Sequence, residues 1–156
     1  MKFRKDLPES AGSKNFLKLK DQESVSGIFR GQLKEFFVIW ENGKSRPVPE
    51  GTPGAKFRFR VNFVMKDGSG YTPKIMEQGR IVYDALAAIH EEYNLEQTIV
   101  KITRNGTGTD TTYSLLPLLK KEISAETMKY LDTMELLDLG DSGKDADFDK
   151  EEPLPF

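Results

Sequence analysis

The sequence predicts a mainly β fold with one long helix set between the third and fourth of five strands. Three observations predict it. First, residues 56–66, KFRFRVNFVMK, alternate: Phe57, Phe59, Val61 and Phe63 share one parity, while Lys56, Arg58, Arg60, Asn62 and Lys66 share the other, with Val64 the exception. Side chains on a strand point to opposite faces in turn, so this is a strand with an apolar underside and a basic upper side. Second, Asp67-Gly68 and Asn105-Gly106 lie between apolar runs, where tight hairpin turns are made. Third, residues 77–93 carry a single helical stripe of Ile81, Val82, Ala85, Leu86 and Ile89.

The elements follow in order. Residues 1–13 are charged and polar, with Pro8 and Gly12, and predict a flexible N-terminus. Residues 14–20, KNFLKLK, read as a short edge strand with lysines outward. Residues 25–40, VSGIFRGQLKEFFVIW, are β-branched and aromatic and predict one long or broken strand, bent at Gly27 or Gly31. Residues 41–54 hold the turn pair Asn42-Gly43, three prolines and three glycines, and read as a loop. The strand 56–66 then turns at Asp67-Gly68 into a partner, 70–77, whose Pro73 suits an edge or a bulge. After the helix, 97–104 and 109–118 form a second hairpin around Asn105-Gly106. Ser124 is a good N-cap for a short helix over 124–137. Residues 140–156 are acidic, small and proline-bearing, with too little apolar surface to order themselves.

Strand, strand, strand, helix, strand, strand is the order of the OB-fold, a five-stranded Greek-key barrel. The expected organisation is a flexible 1–13, an OB-fold domain over 14–138 and a disordered acidic tail over 139–156. Such a barrel presents ligands on the face of its second and third strands and on the loops after the first and fourth. Here the second strand is the basic one, and the two loops are 41–55 and 105–108.

Composition narrows the chemistry. A chain of 156 residues with 37% apolar side chains is one domain. It contains no cysteine, which removes disulfides and thiolate metal sites. No apolar run approaches the roughly 20 residues a membrane span requires, and no apolar stretch follows the first charges, so a cytoplasmic protein is expected. The formal charge of −2 divides unevenly: residues 141–156 hold two lysines against six acids, leaving 21 basic and 19 acidic side chains in residues 1–140. A mildly basic body with an acidic tail suggests nucleic-acid binding. His90 is the single histidine and reads as a packed or half-exposed helix residue. With no nucleophile motif, phosphate loop or zinc signature, no enzyme activity and no cofactor are expected.

Binding an unpaired strand takes cations that track phosphates and aromatic faces on which bases stack. The candidate cations are Lys56, Arg58 and Arg60, joined by Arg30, Lys34, Lys101 and Arg104; the candidate aromatics are Phe36, Trp40 and Tyr113. Phe36 and Trp40 share a parity with Arg30 and Lys34, and hence a face unless a bulge at Gly31 intervenes. The competing reading pairs Arg58 and Arg60 with carboxylates such as Glu35 or Glu77, and places Phe36 and Trp40 in the core.

Two stretches carry resemblances. The end of the chain, Glu151, Glu152, Pro153, Leu154, Pro155 and Phe156, resembles the acidic Pro-Phe tip of bacterial single-stranded-DNA-binding proteins, with glutamates where that tip prefers aspartates. That resemblance implies a docking peptide: Phe156 fills an apolar pocket on a replication or repair protein while Glu151 and Glu152 steer it. KFRFRVNFV, PKIMEQG and ITRNGTGTDTTYSLLP resemble bacteriophage-encoded single-stranded-DNA-binding proteins of the OB type, over about residues 25–118. The implied function is coating single-stranded DNA during replication, recombination and repair, in the host bacterial cytoplasm. The implied partners are single-stranded DNA and replication or repair proteins, with no membrane and with room for homo-oligomers on DNA. A single-stranded-RNA or translational OB module, or a protein-interaction adaptor, are the alternatives.

Overall fold

The computed structural model describes residues 15–68 and 70–140. The expected flexible N-terminus, and the acidic tail with Glu151, Glu152, Pro155 and Phe156, lie outside the described residues.

The six strands are β1 (Ser24–Glu41), β2 (Lys44–Val48), β3 (Lys56–Asp67), β4 (Gly70–Gly79), β5 (Val100–Asn105) and β6 (Thr112–Pro117). The helices are α1 (Arg80–Tyr93) and α2 (Ala125–Thr133). All the strand pairs are antiparallel, in the order β4-β3-β1-β5-β6, with β2 paired to the end of β1. The expected barrel is not closed: β4 and β6 end the path without pairing. Among the described residues, no helix is long and apolar enough to cross a membrane.

Several expectations hold in detail. Asn42 and Gly43 both take positive φ, 51° and 75°, and join β1 to β2 with Glu41 opposite Lys44. That is the mirror-image turn whose twist suits a two-residue hairpin. Ser124 caps α2 by accepting a hydrogen bond from the Thr127 amide. Pro73 sits in β4, at the end of the sheet path.

Others change. Residues 44–48 are a strand rather than loop; Pro47 and three polar neighbours disguised it, but its partner supplies the apolar face. Of the strand expected over 14–20, the described residues 15–20 form none: a lone parallel bridge joins Phe16 to Ile75, with the Leu17 amide donating to the Ile75 carbonyl at 2.8 Å. Helix α1 begins at Arg80, three residues late, because 77–79 stay in β4. Ile81 points outward, and Tyr83 takes its place beside Phe57 and Phe59.

Each sheet face has its own core. The α1 face buries Phe29, Phe59, Val61, Phe63, Met76, Val82, Leu86, Val100 and Ile102. The opposite face buries Ile28, Val64 and Ile99 beneath Leu131 of α2. Gly27 lies where the sheet is tightest: an added Cβ would stand 2.3 Å from the Val64 carbonyl oxygen and 2.7 Å from the Phe63 ring. It is a packing glycine, not the bend. The bend is at Gly31, whose φ is +83°.

Candidate nucleic-acid interface

Parity in β3 dictates which side chains share the outer face, the one away from α1. In register, Arg30 faces Asn62, Lys34 faces Arg60 and Phe36 faces Arg58. Between Arg30 and Lys34 the register shifts: β1 advances four residues while β3 advances two. The two extra residues preserve parity, so Arg30, Lys34, Phe36, Val38 and Trp40 all stay on the face of Arg58 and Arg60. The grouping predicted across Gly31 therefore holds despite the bulge.

The expected openness of that face does not hold. Arg58 and Arg60 are 2% and 0% exposed, and they flank the buried carboxylate of Glu77. Arg60 Nε donates to Glu77 Oε1 at 2.7 Å, and Arg58 Nη2 to Glu77 Oε2 at 3.1 Å. Glu77 stands directly across from Arg60 on β4, which fixes the pairing. The Arg60 guanidinium also lies over two rings, 5.0 Å from the Phe16 centroid and 5.5 Å from that of Phe36. The sequence's competing assignment to Glu77 is thus the observed one. Glu35 points the other way and accepts a hydrogen bond from the Tyr83 hydroxyl at 2.7 Å. That bond holds the Tyr83 hydroxyl proton and raises its pKa above the ordinary 10.0.

The residues that seal this end come from the end of the described chain. Arg60 Nη1 donates to the Leu139 carbonyl at 2.7 Å, and Asn62 exchanges two 2.9 Å hydrogen bonds with the Leu137 backbone. Leu136 packs above Gly31, where an added Cβ would lie 2.7 Å from its Cδ1. Residues 134–140 thus form a strap over Arg60 and Asn62.

The remaining candidates divide. Arg30 donates to the Glu96 carbonyl at 2.9 Å and is ion-paired with Asp132 of α2. Phe36 is buried beside Arg60, so its ring stacks on a guanidinium rather than offering a free face. Arg104 is buried and donates to the Leu19 carbonyl at 2.7 Å, the Gly106 carbonyl at 3.2 Å and Thr111 Oγ1 at 3.4 Å. It braces the loop after β5. Asp21 helps from the other side, accepting from the Gly106 amide at 2.8 Å, a bond that holds its carboxyl below the ordinary carboxylate range. Tyr113 packs half-buried against the α1-side core. Lys34 is half-buried, whereas Lys56, Trp40 and Lys101 are exposed. Trp40 and Lys56 lie at the β2 end of the face, and Lys101 lies on β5 at the other.

A cleft of about 690 Å³ opens on the α1 side, between the bulge and the helix. Leu33, Phe59 and Leu86 line it, and Glu35, Glu91 and Glu96 edge it. Three carboxylates at its mouth do not suit a polyanion. No family model, no curated protein and no solved structure matches the chain.

Proposed function

We propose that this chain binds single-stranded DNA with little sequence preference, and that its acidic C-terminal residues, ending in Pro155-Phe156, recruit proteins of replication, recombination or repair. One observation carries the reading. The strand order β4-β3-β1-β5-β6, with a helix between β4 and β5, is the order of an OB barrel opened between its third and fifth strands. In this reading β2 is an extension of β1, making the loop after the first strand a two-stranded ribbon that carries Trp40.

The charge division supports it, since the body is basic relative to residues 141–156. Contacts by Arg58, Arg60, Arg104 and Phe36 form no part of the proposal, because those side chains are committed inside the fold. Lys56, Lys101 and Trp40 are the predicted residues that are exposed, with Lys34 half-buried beside them on the face of Trp40 and Lys56.

Titration with single-stranded oligodeoxynucleotides at several salt concentrations tests the proposal. Binding should weaken linearly in log–log form with salt, with a slope of roughly −0.7 per phosphate contacted. It should vary little with base composition, and an RNA oligomer of the same length should bind less tightly. Equal or tighter binding of RNA transfers the reading to RNA. Absence of salt-dependent binding to either polymer overturns it.

A further inference from the structure

The outer face of the sheet has a second end, beyond the strap and α2. Lys66 of β3 is directly opposite Ser26 of β1, Ser26 is opposite Lys101 of β5, and Lys101 is opposite Leu116 of β6. On the other flank Lys66 is opposite Tyr71 of β4. The row Tyr71–Lys66–Ser26–Lys101–Leu116 therefore crosses five strands on one face. Strands lie about 4.8 Å apart, so the two lysines stand on the order of 10 Å from each other across Ser26.

Three features make this row a candidate track. Both lysines are exposed, and neither has an ion pair among the described residues. The next row, Ser24, Thr103 and Ser114, offers only hydroxyls, with Ser24 Oγ 2.7 Å from Thr103 Oγ1. No strand residue in either row is acidic. At one end Tyr71 meets Tyr130 of α2, with ring centroids 6.3 Å apart, and Tyr130 is 53% exposed.

We propose that this strip is the track for the sugar–phosphate backbone of a single strand, with Lys66 and Lys101 on phosphates, the hydroxyl row beside them and Tyr130 stacking a base. The inference rests on the binding activity proposed above but moves it away from the strapped arginines. Its physics is ordinary: two exposed cations on rows without acidic strand residues attract a polyanion. Hydroxyls complete phosphate contacts, and a half-exposed ring offers a face to any base.

The test uses the full chain and fluorescently labelled oligodeoxythymidylate. Lys66→Ala with Lys101→Ala should reduce the magnitude of the salt slope by about 1.4, two contacts at roughly 0.7 each. Lys66→Arg with Lys101→Arg should retain it. Tyr130→Ala should weaken binding roughly tenfold, as expected for loss of one stacked base. Suppose the wild type binds, the Lys66/Lys101 variant keeps its affinity and slope, and Lys34→Ala with Lys56→Ala loses them. The track then lies at the Trp40 end, and this inference falls while the binding activity stands. A wild type that fails to bind at low salt overturns both.

Discussion

The two ends of the outer sheet face share one alternation and meet opposite fates. At one end Arg58 and Arg60 are buried around Glu77, and Phe16 and the strap 134–140 seal Arg60 and Asn62. At the other, four to eight residues along the same strand, Lys66 stands in solvent beside Ser26 and Lys101. The parity of a strand tells which side chains travel together. What lies over them is decided by distant chain, here by Phe16 and by strap residues 75 and 79 positions away.

The sharpest way to break this comparison is at Glu77. Removing one partner of a buried ion pair leaves an uncompensated charge, a loss of about 3–5 kcal/mol. Glu77→Ala should therefore cost that much by denaturant unfolding, whereas a solvated surface pair would be worth under about 1 kcal/mol. A loss that small would mean that water reaches the arginines.

The strap comes next. Asn62→Ala deletes both hydrogen bonds to Leu137, which should destabilise by about 2 kcal/mol and speed exchange of the Leu137 amide proton. Unchanged exchange at Leu137 would show that other contacts hold the strap down.

On the α1 face, Tyr83→Phe should cost about 1 kcal/mol, since solvent weakens its bond to Glu35. The sign with pH is fixed by the raised pKa of Tyr83. The folded state favours the protonated hydroxyl, so the difference between wild type and Tyr83→Phe is fully present below pH 10.0. It disappears as pH rises through the higher folded value. A difference that grows in alkali would contradict the assigned hydrogen bond.

The smallest effect belongs to the open end. Lys66→Ala with Lys101→Ala should change stability by no more than about 0.5 kcal/mol, because both side chains are exposed. A larger loss would mean that this end, too, is structural.

Much of the architecture was legible in the chain. The β3 alternation, the turn at Asn42-Gly43 and the Ser124 cap are local signals, and each does its expected work. Asn105-Gly106 lies in the expected hairpin, but Asn105 still pairs with Thr112, and residues 106–111 make a longer connection than the tight turn expected. Strand β2 was not legible, because Pro47 and its polar neighbours lack an apolar pattern of their own. Nor was the open sheet, since whether β4 meets β6 depends on curvature that no local pattern encodes.

The site was legible only in part. Grouping Phe36 and Trp40 with Arg30 and Lys34 followed from parity and survives; that Arg58 and Arg60 share their face is set by the β1–β3 register. The burial of Arg60 did not follow, because Leu137 and Leu139 act through backbone carbonyls, which carry no signature in a sequence. Lys66 was already in the basic parity. A turn centred on Asp67-Gly68 would have put Val64, not Lys66, opposite Tyr71; the observed pairing of Asp67 with Gly70 shifts the register and puts Tyr71 opposite Lys66.

The irregularity between Arg30 and Lys34 has a consequence for how this chain can vary. Its surplus is an even number, so the strand resumes with the same orientation it had before. Removing a single residue from 31–33 would leave a one-residue bulge, across which Arg30 can still pair with Asn62 and Lys34 with Arg60. Removing two would leave every one of them where it is. Length changes at this point are therefore tolerable as long as the pairs on either side of the bulge are kept.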